Sequence, residues 1–103
     1  MIGKLLVSPE QMKTAAGELT EYVNQMQECF ESMRRTVEGS SSYWQGDAGE
    51  AHRELYTKRV AKTEEIIRRY QEHIRDLNEM AGVYSEAERK AADAAESLPA
   101  SSL

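Results

Sequence analysis

The stretch Gly39-Ser-Ser-Ser-Tyr-Trp-Gln-Gly46 separates two long segments in which apolar residues recur every three or four positions. Clusters of glycine and serine favour turns over continued helix. The two prolines of the chain, Pro9 and Pro99, lie at the outer ends of the flanking segments, where they do not interrupt a helix. The sequence therefore predicts two helices joined by one bend at residues 39–46.

The segment before the bend predicts a helix over residues 8–38. Ser8 can cap its N-terminus, Pro9 suits the first turn, and Gln11 can bond back to Ser8. Apolar residues then follow alternating steps of four and three, which is a heptad pattern. We call this stripe the first seam. Its members are Met12, Ala16, Leu19, Val23, Met26, Phe30, Met33 and Val37.

The segment after the bend predicts a longer helix over residues 47–97, capped by Asp47 and Glu50. Residues 98–103 are expected to be a flexible C-terminal end. Because the first helix is shorter, it is expected to cover the second only to about residue 77, and the remainder is expected to overhang. The second helix also carries a heptad stripe, the second seam. Its members are Tyr56, Val60, Thr63, Ile67, Tyr70, Ile74, Leu77, Ala81 and Tyr84.

Both stripes are wider than one contact line requires, because Tyr22 and Cys29 lie beside the first seam and Leu55 and Ile66 lie beside the second. The sequence therefore predicts a single all-α domain over residues 1–103, an antiparallel helical hairpin that dimerises into a four-helix bundle with coiled-coil packing. Cys29 is expected to be a small buried side chain, and an intermolecular disulfide stays open. The expected hairpin and dimer contacts are Leu19, Val23, Met26, Phe30, Met33, Ile67, Tyr70, Ile74 and Leu77.

The charges divide along the chain. Residues 8–38 carry six acids and three bases, whereas residues 53–75 carry seven bases and four acids. Opposite net charges on neighbouring helices can guide register and partner choice. Two solvated faces with local pairs, such as Glu54 with Lys58 and Glu65 with Arg69, explain the same pattern. The sequence leaves both interpretations open.

The composition excludes several classes of protein. The chain has 103 residues and a formal net charge of −5, whereas a general nucleic-acid binder needs a basic surface. One cysteine allows no internal disulfide, and no apolar run reaches the roughly 20 residues that span a bilayer. The apolar run in residues 1–7 is too short for a signal-peptide core of about 7–15 residues, so we expect no Sec-type leader.

Catalytic and metal-binding patterns are absent from the sequence. Neither His52 nor His73 follows a glutamate by three positions, as the carboxylate-bridged metal sites of helical bundles require. Both histidines are expected on the surface or beside a seam. We therefore expect no enzymatic activity, no cofactor and no small-molecule substrate.

Trp44, the only tryptophan, and Gly46 have a purely structural interpretation. The indole can fill the gap between diverging helices, and glycine allows a positive φ or a close backbone approach. A chain of about 100 residues with Trp-Gln-Gly between two helices also resembles the WXG100 family of early-secreted-antigen-like proteins, which Gram-positive bacteria and mycobacteria export by type VII secretion. The resemblance covers essentially the whole chain, and Ala48 and Ala51 match the small residues that follow the family motif.

The resemblance implies a second motif, Tyr-x-x-x-Asp/Glu, which serves as an export signal. Tyr84-Ser-Glu-Ala-Glu88 fits it, with glutamate in place of the more common aspartate. The two side chains share one helix face, although Tyr84 is also the last residue of the second seam and can be read as a core tyrosine. In the family picture, Trp44 and Gly46 of one protomer lie beside Tyr84 and Glu88 of its partner, and a membrane ATPase recognises the folded dimer.

The resemblance thus implies a leaderless, non-enzymatic protein secreted by a type VII system as a dimeric substrate, virulence-associated effector or co-export partner. Its partner is either a second copy or a sister WXG100-like protein. The alternative is a cytoplasmic adaptor or targeting chaperone that pairs with the helical N-terminal domain of a larger exported toxin. A purely structural coiled coil is a third interpretation, favoured if Trp44 is exposed and tolerates substitution.

Overall fold

The computed structural model describes residues 6–98, which form two α-helices and no strand. Helix α1 spans Pro9–Gly39, a single 3-10 turn spans Ser40–Ser42, and helix α2 spans Asp47–Glu96. The helices fold back on each other into a rod of 87 × 25 × 18 Å. The predicted all-α helical hairpin is confirmed. Apart from Leu98, the end predicted to be flexible lies outside the described residues.

Helix α1 begins as its sequence predicts. The Ser8 backbone is extended, and its Oγ accepts a hydrogen bond of 3.3 Å from the backbone N–H of Gln11. Pro9 occupies the first turn, where its missing N–H leaves no donor unsatisfied. Ser8 and Pro9 therefore fix the residue at which α1 begins.

Ser8→Ala is expected to lower the free energy of unfolding by about 1 kcal/mol, because it removes the hydroxyl that accepts the capping hydrogen bond from Gln11. Thermal and denaturant unfolding followed by circular dichroism measure the change. Ser85→Ala, an exposed serine inside α2, is the matched control and should be neutral or slightly stabilising, since alanine is the better helix former. Equal losses for both variants would contradict the capping role.

Helix α2 begins differently from the prediction. The expected capping pair of Asp47 and Glu50 is wrong, because the N-cap is Gly46 and no side chain caps the helix. Asp47 is already the first helical residue, so its carboxylate lies one position too far along the chain to cap. Both acids still lie in the first turn, where negative charge complements the helix dipole.

The core is a narrow line of seam residues between the helices. Ala16 and Val23 of α1 pack with Ile67 and Ile74 of α2, and these four are at most 8 % exposed. Partly buried side chains from both seams pack against this line; they are Met26, Phe30 and Leu77. The heptad spacing of both seams therefore places one row of each helix against the other.

The covered part of α2 is longer than predicted. Ala81 is fully buried, and Tyr84 lines one groove with Leu6 and Met12. The overhang therefore begins after Tyr84 and not at about residue 78 as predicted, since residues 85–98 are all exposed. The residues just before α1 continue past the helix start, and extended chain covers roughly 3.3 Å per residue against 1.5 Å in a helix.

Ion pairs among residues 6–98 all join residues three or four positions apart on one helix. The predicted pair of Glu65 and Arg69 forms at 2.8 Å. On α1, a hydrogen bond from Arg34 lowers the pKa of the Glu31 carboxyl. Within the single hairpin, the charges thus form local pairs on solvated faces.

Candidate functional site

The corner, which we define as residues 39–53, turns the chain through a compact set of backbone hydrogen bonds. The backbone N–H groups of Tyr43 and Trp44 both donate to the carbonyl of Ser40, at 3.1 and 2.8 Å. Gly46 then has φ 105° and ψ 179°, a combination essentially confined to glycine. Gly46 thereby permits α2 to start immediately after the bend.

Trp44 lies across the first turns of α2. Its indole ring contacts the His52 ring, with 5.1 Å between centroids and 38° between planes, and the residue remains 39 % exposed. The structure thus presents part of the indole to solvent instead of burying it as a plug between the helices.

Gly49 makes this position of Trp44 sterically accessible. A Cβ atom at residue 49 would lie 2.5 Å from the Trp44 carbonyl oxygen and 3.2 Å from its Cγ. This role was not predicted from the sequence. The one signal for it is a glycine in the first turn of a helix, three residues after another glycine.

Arg53 is the second residue of the corner that the sequence did not identify. Its Nη1 donates to the Trp44 carbonyl at 2.9 Å and to Ser40 Oγ at 3.2 Å. Ser40 is the one buried polar residue within the described range, at 5 % exposure. No local pattern distinguishes Arg53 from the other basic residues of α2, since its acceptors are created by the bend.

Tyr84 lies beside the start of α1, at the opposite end of the two-helix part of the rod, and α2 continues past Tyr84 and Glu88 to Glu96. Tyr84 is half-buried and shares its groove with Leu77 and Met80, whereas Glu88 is exposed one turn further along α2. The helical rise from Asp47 to Tyr84 is about 55 Å. Within one chain, the Trp44 motif and the Tyr84 motif therefore do not meet.

One long side of the hairpin carries large apolar side chains that nothing within residues 6–98 covers. On this side, Ala15 of α1 and Met80 of α2 border the same groove. Steps of three and four positions along each helix from these two residues identify the other residues on the same side. We call the surface the outer apolar face. Its members are between 36 % and 60 % exposed: Leu19, Tyr22 and Met33 on α1, and Ile66, Tyr70 and Met80 on α2.

The opposite side of the hairpin is polar. Gln27, Arg34, Arg68 and Gln71 border a groove there with the edge of the core. Three seam residues, Leu19, Met33 and Tyr70, thus belong to the outer apolar face and not to the interior of the single hairpin. Cys29 is also exposed, so its predicted burial is wrong for one chain alone.

A known protein family matches most of the chain. The family model described as "WXG100: Proteins of 100 residues with WXG" matches residues 4–89, which include the whole corner and both Tyr84 and Glu88. The chain belongs to the WXG100 family.

The WXG100 family is associated with type VII secretion, and its members pair with one another. It is a family of small helical secreted proteins that are not known as enzymes. Searches of curated proteins and of solved structures gave no significant match.

The structure of this WXG100 protein also shows where its histidines lie. The His52 ring lies against Trp44 at a tilted angle, and His73 borders a surface groove with Ile66 and Tyr70. Residues 6–98 contain no group of three or more acidic, histidine or cysteine side chains placed to share a metal ion. Neither of the two described helices has a stretch that is long and apolar enough to cross a bilayer.

Proposed function

We propose that this WXG100 protein is exported by a type VII secretion system as a folded dimer, with an export signal shared between the two protomers. The observation that carries the proposal is the position of the two motifs at opposite ends of the two-helix part of the rod, along which the outer apolar face runs. A second hairpin on that face, related by a two-fold axis perpendicular to the rod, reverses the ends. Trp44 and Gly46 of one protomer then lie near Tyr84 and Glu88 of its partner.

The size of the uncovered surface supports the pairing. A single hairpin of this length has one line of buried contacts, and small domains with so little core generally gain stability by oligomerisation. The six large apolar side chains of the outer apolar face lie on one side of the hairpin, whereas single scattered apolar residues are what a soluble monomer normally exposes. The occupant that we propose is a second copy, giving a four-helix bundle.

The chemistry of the shared end supports recognition by a protein, for which we propose the membrane ATPase of the secretion machine. The indole is 39 % exposed, and tryptophan and tyrosine combine a large apolar surface with a polar group suited to protein contacts. Glu88 adds an exposed negative charge one turn from Tyr84. In this proposal, the secreted chain acts as substrate, effector or co-export partner.

Export of point variants tests the proposal. In a host with an active type VII system, Trp44→Ala and Tyr84→Ala are each expected to reduce the secreted fraction by about tenfold or more, equivalent to ~1.4 kcal/mol of recognition free energy. Immunoblots of culture supernatant and cell pellet measure the fraction, with a cytoplasmic marker to detect lysis. Glu88→Gln tests the contribution of the charge.

Matched controls separate recognition from general surface change. Tyr43→Ala removes a neighbouring aromatic that is 77 % exposed, and Glu79→Gln removes an exposed carboxylate of α2; both should be secreted like the parent. Parental secretion of Trp44→Ala and Tyr84→Ala would reject the export signal. Retention of the parent chain in the cytoplasm, bound to a larger exported protein, would favour the adaptor alternative instead.

A further inference from the structure

We infer that Arg53 is a positioning residue for the export signal, because its guanidinium fixes the backbone from which the Trp44 indole projects. The expected effect on export rests on the proposed function, whereas the positioning of Trp44 is inferred from the hydrogen bonds of the corner alone. Arg53 lies two turns into α2, well outside the Trp-x-Gly tripeptide. Its role is to hold the exposed indole in one orientation.

One nitrogen of Arg53 links three parts of the corner. Nη1 donates to Ser40 Oγ at the end of α1 and to the Trp44 carbonyl in the bend, while the side chain itself is anchored on α2. Hydrogen bonds from a charged donor are stronger than those between neutral groups. The peptide group that follows Trp44 is therefore held against both helices at once.

Fixing this carbonyl also fixes the side chain. The Trp44 N–H is already bonded to the Ser40 carbonyl, so the bond from Arg53 restrains the second backbone polar group of the same residue. With both restrained, the backbone of Trp44 holds its indole beside Gly49 and against the His52 ring, at 5.1 Å between centroids. Without Arg53, rotation of the Trp44–Gln45 peptide group releases the indole from this surface.

The gap that Gly49 leaves beneath Trp44 supports this assignment. A Cβ at residue 49 would approach the same carbonyl oxygen to 2.5 Å, so the oxygen that Arg53 binds is also the atom that a side chain at residue 49 would meet first. Arg53 thus binds this peptide group through a hydrogen bond, and Gly49 leaves the space that its carbonyl oxygen needs.

Arg53→Met tests the inference, because methionine keeps an unbranched apolar side chain and removes all the donors. Arg75→Met is the matched control, an exposed arginine of the same helix that lies one heptad after Arg68 on the polar side and undergoes the same change in charge. Trp44 is the only tryptophan, so fluorescence reports its surroundings directly. Circular dichroism and sedimentation establish that each variant is folded and assembled like the parent before its indole is compared.

We expect Arg53→Met to shift the Trp44 emission to longer wavelength, to increase quenching by acrylamide, and to lower the secreted fraction by about tenfold, as the loss of a bond to a charged donor implies. Arg75→Met should match the parent in all three. Arg53→Lys keeps one charged donor and is expected to lie between Arg53→Met and the parent. It also serves as the test variant if Arg53→Met does not fold.

Unchanged emission and quenching in folded Arg53→Met, or in Arg53→Lys where that variant is used, would overturn the inference. So would an altered emission with parental secretion, since orientation of the indole would then not matter for export. The proposed function fails by a separate result, parental secretion of Trp44→Ala. A loss of secretion in Trp44→Ala together with parental secretion of Arg53→Met rejects the role of Arg53 alone.

Discussion

A chain carrying both Leu19→Glu and Tyr70→Glu is expected to sediment as a monomer at concentrations where the parent chain is a dimer. In the single hairpin these side chains are 36 % and 49 % exposed, so the substitutions leave the line of buried contacts intact. In the proposed bundle both lie inside the interface. Burial of an unpaired charge costs several kcal/mol, so we expect the dissociation constant to rise about a hundredfold or more, equivalent to ~2.7 kcal/mol.

The matched control for this variant is a chain with Gln27→Glu and Gln71→Glu. It carries the same two added negative charges, but on the polar side of the hairpin, and should dimerise like the parent. Sedimentation equilibrium over a range of concentrations measures all three chains. A Leu19→Glu/Tyr70→Glu chain that dimerises as tightly as the parent would place the interface elsewhere, and a monomeric parent would assign the outer apolar face to a sister protein.

The sequence predicted the helical hairpin because two independent signals agreed. Heptad spacing identified rows of apolar residues on both segments, and the glycine and serine residues at 39–46 separated them. The same spacing could not show whether the other helix of the chain or a second chain covers each row of apolar residues. Leu19 and Tyr70 continue the seams as well as Val23 and Ile67 do, yet only the second pair is buried in one chain.

Details at the two ends of the rod were less predictable, because they depend on where a few residues place the backbone. The predicted length of contact counted only helical rise and missed the extended residues before Pro9, which bring Leu6 to the groove beside Tyr84. Asp47 matched the pattern of a capping residue, but the backbone of Gly46 takes the N-cap position. Neither result follows from local propensity.

The roles of Arg53 and Gly49 in the corner arise from tertiary contacts and not from a local sequence pattern. Arg53 has acceptors only because the bend brings Ser40 and the Trp44 carbonyl within reach of α2. Gly49 reads in the sequence as an unfavourable helical residue, whereas in the structure it occupies a position that has no room for a Cβ. Motif recognition therefore found the tryptophan of the candidate site but not the residues that orient it.

Replacing glycines with alanine is expected to have opposite effects in the corner and in the helix. Gly46→Ala places a side chain at φ 105° and ψ 179°, which costs about 1–3 kcal/mol. Gly49→Ala creates an overlap with Trp44, for which overpacking costs about 1–3 kcal/mol. This cost equals or exceeds the roughly 1 kcal/mol that alanine gains in helix propensity. Both variants should therefore be less stable than the parent.

Gly17→Ala is the matched control, because Gly17 is exposed within α1 and a Cβ there meets nothing within 4 Å. It should be more stable than the parent by up to about 1 kcal/mol, the full difference in helix propensity. Denaturant unfolding at one fixed protein concentration measures the series, since dimerisation makes stability depend on concentration. Trp44 emission should change in Gly49→Ala and not in Gly17→Ala. Stabilisation at position 49 equal to that at position 17 would contradict the close contact between Gly49 and Trp44, and with it the physical basis for a fixed indole.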